Sequence, residues 1–176
     1  MRLPGRWVWL TLGGAAVAGV ALGLVVSGVR LPWSSGGRVL PPVRARVYEN
    51  VDACLLTGAR GLADPVAAQV WAGMEDASRA TTARVSYLAV TGPATAAEAE
   101  PFVGSLLVRG CKVIVASGAA EQAAVLADAG RFPGTRFVVT SAATGPSNVT
   151  ALAFTTSGLR AAVAAAVESG VYAAGG

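Results

Sequence analysis

The chain of 176 residues contains no histidine and only two cysteines, Cys54 and Cys111. Histidine is the commonest protein ligand of metals and the side chain most often used as a general base near neutral pH. Two cysteines alone cannot complete a four-coordinate zinc site. The sequence therefore predicts no metal site, no cofactor and no catalytic residues, and we expect a protein that is not an enzyme.

Charged side chains are also scarce, and they are unevenly distributed. Residues 1–48 contain six arginines and no acidic residue, whereas the remainder contains eight basic and ten acidic residues. The net charge of +4 therefore comes from the N-terminal segment. Because a nucleic-acid-binding domain normally carries a basic patch on its folded surface, we expect no binding to nucleic acid.

The longest segment without a charge is residues 7–29 (WVWLTLGGAAVAGVALGLVVSGV). As a helix it would extend about 34 Å, which exceeds the ~30 Å hydrocarbon core of a bilayer. We expect a cytoplasmic leader at residues 1–6, a transmembrane helix or signal anchor at residues 7–29, and an extracytoplasmic C-terminal domain held at the cell membrane by this single pass. A cleaved secretory signal is the alternative, although its apolar region is normally only ~7–15 residues long.

Residues 30–48 are rich in proline, glycine, serine and arginine, which predicts a flexible linker. Over residues 49–173, short apolar runs then alternate with helical patterns. Strands are predicted at residues 52–58, 83–90, 111–117, 136–140 and 148–154, and helices at residues 65–78, 95–109, 119–129 and 157–172. This alternation predicts an α/β domain, namely a single Rossmann-like or flavodoxin-like three-layer lobe with a parallel sheet in the order 2-1-3-4-5.

Two predicted strands end in a small polar residue followed by glycine. Because open α/β sheets bind ligands at the carboxyl ends of their strands, these positions are candidates for a ligand site, together with an acidic residue before the first helix. The candidate ligand-binding residues are Thr57, Gly58, Asp64, Ser117 and Gly118. Alternatively, the glycines only permit the turns into the helices and the acidic residue only caps a helix.

The two cysteines fall on the first and third predicted strands, which we expect to be neighbours. An even number of cysteines in an exported domain allows a disulfide. Counted from the closing glycines, however, the positions of Cys54 and Cys111 differ by three residues, or ~10 Å along a strand. This separation exceeds the ~7 Å that a disulfide permits between Cα atoms, so the count favours two buried free thiols.

Several short segments also resemble, in the same order, the first lobe of the basic membrane protein family. They are Thr57-Gly58, Leu62-Ala63-Asp64, Trp71-Ala72-Gly73, residues 106–114 (LLVRGCKVI), residues 132–137 (FPGTRF), residues 146–149 (PSNV), and Phe154 with residues 158–163 (GLRAAV). Members of this family are substrate-binding proteins of ABC transporters, and several bind purine nucleosides. The resemblance implies a type I periplasmic-binding-protein lobe, a small solute as ligand and an ABC transporter permease as partner. The family's ligand loop, D-x-S-F-N, is not matched, because the aligned positions are Ala63, Pro65, Val66 and Ala67.

Two functions are compatible with these observations. The first is a membrane-anchored solute-binding lobe, an accessory or degenerate component of a transporter for nucleosides or similar solutes, acting alone or as a homodimer that supplies the wall of the absent second lobe. The second is an envelope protein–protein interaction module without a small ligand. It is motivated by the apolar face of the last predicted helix, which would pack between two lobes and which we expect to be exposed here. This face comprises Leu159, Val163, Val167 and Val171.

Overall fold

The computed structural model describes residues 47–153 and 157–175, in which strands and helices alternate as predicted. The elements are β1 (Asp52–Thr57), α1 (Pro65–Thr81), β2 (Arg84–Ala89), α2 (Ala96–Val108), β3 (Val113–Ser117), α3 (Ala119–Asp128), β4 (Arg136–Val139), β5 (Val149–Ala151) and α4 (Leu159–Gly175). The predicted leader, transmembrane helix and most of the predicted linker lie outside the described residues. Within the two described ranges, no helix combines the length and apolar character needed to cross a membrane.

The five strands form one parallel sheet in the order β2-β1-β3-β4-β5, which confirms the predicted order. In the register, Thr57 lies beside Ala89 of β2 on one side and Ser117 of β3 on the other. The carboxyl ends of these three strands therefore lie level with one another at one edge of the sheet.

The two faces of the sheet are covered by different helices. Because side chains alternate along a strand, Leu55 of β1 packs towards α1 and α4, whereas Leu56 packs towards α2 and α3. All five residues of β3 are buried, as expected for a central parallel strand covered on both faces. The described lobe is therefore a three-layer α/β structure with one apolar core on each side of the sheet.

The apolar face of α4 is buried, so the expectation of an exposed patch was wrong. Leu159, Val163, Val167 and Val171 are each at most 4% exposed, and they pack in the core formed with α1 and the sheet. The physical reason is that α1 offers a matching surface within the same lobe. At the helix crossing, a Cβ added to Gly73 would lie 2.5 Å from the carbonyl oxygen of Arg160, so only glycine allows this close approach.

An ion pair at the surface joins the same two helices. Arg160 of α4 donates from Nε to Oδ2 of Asp76 at 2.5 Å and from Nη2 to Oδ1 at 2.8 Å, and Arg79 also donates to this carboxylate. The hydrogen bond from Arg160 is the main cause that lowers the pKa of Asp76 from 3.8 to about 2. The ionised carboxylate is therefore favoured in the folded protein.

We expect the Asp76→Asn variant to be less stable than the wild type at neutral pH and equally stable in strong acid. The pKa of Asp76 is lower in the folded state than in the unfolded state, so its stabilisation is complete above about pH 4 and is lost as the pH falls through about 2. Thermal unfolding of the full chain in detergent, followed by circular dichroism across this range, measures the effect. Glu100→Gln, at an exposed position, is the control. If the difference in stability between Asp76→Asn and wild type did not change with pH, the lowered pKa of Asp76 would be contradicted.

One buried amide organises the loops that lead into β4 and β5. Asn148 is 7% exposed, and the two hydrogens of its Nδ2 are shared among three carbonyl oxygens, those of Ala129 at 2.9 Å, Phe132 at 3.0 Å and Thr135 at 3.0 Å. These carbonyl groups belong to the segment between α3 and β4. A single side chain therefore fixes that segment to the start of β5.

The two cysteines form a disulfide, so the prediction of free thiols was wrong. The Cα atoms of Cys54 and Cys111 are 5.9 Å apart. The sequence count treated Cys111 as part of an extended strand, but β3 begins only at Val113. Cys111 lies in the turn that follows α2, where its backbone N–H donates to the carbonyl oxygen of Leu106. Its side chain thus reaches Cys54 within the core that α2 and α3 form with the sheet.

Candidate functional site

An open groove of about 640 Å³ lies at the carboxyl edge of the sheet, beside the loops that follow β1 and β3. Its polar lining is formed by Arg60, Asp64, Ser117, Glu121, Gln122 and Thr140. From β1 the chain continues to β2 on one side of the sheet, and from β3 it continues to β4 on the other side. The boundary between β1 and β3 is therefore the topological switch point, which is where open α/β sheets bind ligands. The volume lies within the ~300–1,000 Å³ typical of small-molecule sites.

Four of the five predicted site residues lie at this groove. Gly58, Asp64, Ser117 and Gly118 line it. Thr57 does not, because it is only 1% exposed and its hydroxyl donates to the carbonyl oxygen of Gly58 at 3.1 Å. Contact between these residues and a ligand stays a prediction.

Asp64 has a structural role in the groove wall. Its Oδ1 accepts hydrogen bonds from the backbone N–H groups of Val66 at 2.9 Å and Ala67 at 3.2 Å, which caps the N-terminus of α1. Its Oδ2 lies 3.7 Å from Nη1 of Arg60, whose Nη2 also donates to the carbonyl oxygen of Ala63. The carboxylate of Asp64 and the guanidinium of Arg60 are therefore already engaged with the protein.

The glycine at the end of β3 is required by the backbone, whereas the one at the end of β1 is not. Gly118 has a φ of +108° and stands at the N-cap of α3, and a Cβ there would collide with Oε2 of Glu121. A Cβ on Gly58 would lie 3.5 Å from Oε1 of Glu121, which is an ordinary contact. The interpretation of the glycine as a turn residue therefore holds for Gly118.

Glu121 is the buried acidic residue of the groove, and the sequence did not predict it as a site residue. It is 3% exposed and lies in the first turn of α3, with its carboxylate over Gly58 and Gly118. No ion pair or side-chain hydrogen bond joins it to another residue of the described ranges. In the same ranges, every side-chain oxygen that is fully enclosed has a hydrogen-bond partner. Its oxygens must therefore reach the solvent of the groove. The available signal was its position three residues after a glycine that ends a strand.

Gln122 and Thr140 form the wall beyond Glu121. Nε2 of Gln122 donates to Oγ1 of Thr140 at 2.9 Å. Thr140 directly follows β4, so this contact joins α3 to the end of the neighbouring strand. The sequence does not predict these two residues as site residues, because their spacing does not show how α3 lies over the sheet.

The groove is suited to noncovalent binding. Glu121, Ser117 and Thr140 offer oxygen acceptors, while Val66, Ala67 and Ala94 contribute apolar surface. Among residues 47–153 and 157–175, no group of three or more histidine, cysteine, aspartate or glutamate side chains could hold a metal ion.

No family model and no curated protein matches the chain. Among solved structures, it is similar to a fragment of a candidate lipoprotein from Peptoclostridium difficile 630, with a TM-score of 0.57 and 12% identity over 69% of this chain and 98% of the fragment. A solute-binding protein of an ABC transporter system from Conexibacter woesei DSM 14684 is similar with a TM-score of 0.48 and 23% identity over 57% of this chain. The matched region spans about a third (34%) of that protein. At these identities the first likeness shows the fold alone, so the described α/β lobe has a fold similar to that of the lipoprotein fragment.

Proposed function

We propose that the chain is a membrane-anchored, extracytoplasmic solute-binding lobe, an accessory component of an ABC transporter for nucleosides or similar small solutes. The observation that carries this proposal is the groove of about 640 Å³ between the ends of β1 and β3. The resemblance to the basic membrane protein family supports the choice of solute class. Val66 and Ala67, which stand in place of part of the family's ligand loop, give this groove a different surface.

The disulfide supports the extracytoplasmic location. Disulfides form and persist mainly in oxidising compartments outside the cytoplasm, and they are rare inside it. The bond between Cys54 and Cys111 therefore agrees with the export that the apolar segment at residues 7–29 predicts. We propose that residues 7–29 also form the single-pass anchor.

The described lobe covers the groove from one side only. Small-molecule sites normally bury ~70–90% of the ligand surface, so an open groove binds weakly unless a second surface closes over it. We propose that a second copy of the chain or the transporter permease supplies this surface. Affinity should then rise with protein concentration if a homodimer forms.

The alternative function, an interaction module without a ligand, has lost its supporting observation. It depended on an exposed apolar face of α4, and the valines of that face are buried against α1 and the sheet. The groove, by contrast, remains open to solvent. Solute binding is therefore the function that the geometry supports better.

A ligand screen tests the proposal with the full chain in detergent. Thermal unfolding is measured with nucleosides, sugars, amino acids and amines at millimolar concentration. Ala94→Trp fills the groove from an exposed loop position, and Ala97→Trp, exposed but outside the groove, is the matched control. We expect at least one compound to raise the unfolding temperature of the wild type and of Ala97→Trp, but not of Ala94→Trp. No stabilisation by any compound would overturn the proposal.

A further inference from the structure

The buried carboxylate of Glu121 has no countercharge in the described part of the chain. It is 3% exposed, and no arginine or lysine described in the structure forms an ion pair with it. Acidic side chains are rarely this buried without a protein partner, and here only the solvent of the groove reaches the carboxylate. The groove thus contains a carboxylate acceptor that has no positively charged partner among the described residues.

Helix capping does not account for this side chain. A glutamate at the third position of a helix can reach back to the backbone N–H of the N-cap residue, which here is Gly118. The oxygens of Glu121 do lie close to Gly118, but the side chain makes no hydrogen bond to this N–H or to another described group. The negative charge next to a helix N-terminus is favourable, yet it needs no burial and no position facing a groove.

The charged residues that line the groove also leave Glu121 without a countercharge. Its ionisable lining residues are Arg60, Asp64 and Glu121, with a net charge of −1. Arg60 and Asp64 already interact with each other and with the backbone. The remaining negative charge is that of Glu121, which a neutral ligand could hydrogen-bond but could not balance.

We infer that the groove binds a small solute carrying a primary ammonium group, and that Glu121 receives this group. The inference rests on the proposed solute-binding function and narrows its solute class to amines, because a nucleoside carries no ammonium group. The ammonium donates hydrogen bonds to the carboxylate over Gly58 and Gly118, and the hydroxyl groups of Ser117 and Thr140 are further acceptors in the same groove.

Isothermal titration calorimetry of the full chain in detergent tests this inference with two probes of equal length. Putrescine carries an ammonium at each end, whereas 1,4-butanediol is its neutral counterpart. We expect putrescine to bind at least about tenfold more tightly than the diol, a difference of about 1.4 kcal/mol. Glu121→Gln keeps the shape of the side chain and removes its charge, so it should abolish this preference, while the exposed Glu100→Gln should retain it. Glu121→Asp keeps the charge and should retain a preference for the amine.

The outcomes separate this inference from the proposed function. Equal affinity for the two probes, unchanged putrescine binding by Glu121→Gln, or putrescine binding that persists in Ala94→Trp would each overturn the inference. If another compound of the screen binds and is blocked by Ala94→Trp, the solute-binding function still stands. If no compound binds, both proposals fail. Circular dichroism without ligand shows whether Glu121→Gln folds. If it does not fold, the two probes are compared with Glu121→Asp, which should still bind putrescine more tightly than the diol.

Discussion

Replacing both Cys54 and Cys111 with alanine is expected to lower the free energy of unfolding by about 4 kcal/mol. The disulfide joins residues 57 positions apart, and closing a loop of this length in the unfolded chain accounts for about this amount by the chain-entropy estimate. Total stabilities of about 5–15 kcal/mol are usual, so the loss would be a large fraction of the whole. Urea unfolding of the full chain in detergent measures it.

Reduction provides the matched control for the double variant. Dithiothreitol, present throughout the urea titration, should lower the stability of the wild type to nearly that of the alanine variant and should leave the variant unchanged. Thiol titration of the wild type, denatured without a reducing agent, should detect no free thiol. Two free thiols per chain would contradict the disulfide.

The Gly73→Ala variant is expected to lose about 2 kcal/mol of stability, within the range typical of an overpacked core. The added methyl would lie 2.5 Å from the carbonyl oxygen of Arg160 and 3.0 Å from Cβ of Val163, so α1 and α4 must move apart. Backbone atoms cannot yield as a flexible side chain can. The apolar face of α4 would then separate from α1, and the unfolding transition should occur at lower urea concentration.

Gly104→Ala in α2 is the control for Gly73→Ala. A Cβ at Gly104 meets no atom within 4 Å, so the change adds no clash. Alanine inside a helix is favoured over glycine by about 0.5–1 kcal/mol, and we expect this variant to gain stability. Equal effects of the two substitutions would show that the crossing of α1 and α4 is looser than described.

The order of the elements could be predicted because strands and helices differ in length and in the period of their apolar residues. The parallel sheet followed from the alternation of strands and helices, and its order from the flavodoxin-like fold that this alternation favours; the structure confirms both. The disulfide could not be predicted in this way. A count along the sequence assumes an extended chain, and Cys111 lies in a turn where that assumption fails.

The candidate site was predictable where it depended on strand ends and on the acidic residue, Asp64, before the first helix. Gly58, Ser117 and Gly118 follow directly from the positions at which β1 and β3 stop. Glu121 and Gln122 lie on α3, and their approach to the groove depends on how that helix packs over the sheet. The burial of α4 was missed for a related reason. The apolar face of α4 and the helix at residues 65–78 were both predicted, but the packing of one against the other was not.

The hydrogen bonds of the Asn148 side chain affect folding when the chain is secreted by a cell that attaches N-linked glycans. Asn148, Val149 and Thr150 match the N-x-[ST] acceptor for N-linked glycans, and the glycan is attached to the side-chain nitrogen. In the folded protein this Nδ2 atom is buried and bound to three carbonyl groups, so a glycosyltransferase cannot reach it. A sugar attached before folding would replace one of the two hydrogens of that nitrogen, and its bulk would keep the segment between α3 and β4 from closing on β5. Secretion from a eukaryotic cell thus puts glycan transfer in competition with folding, which export from a bacterium without this modification avoids.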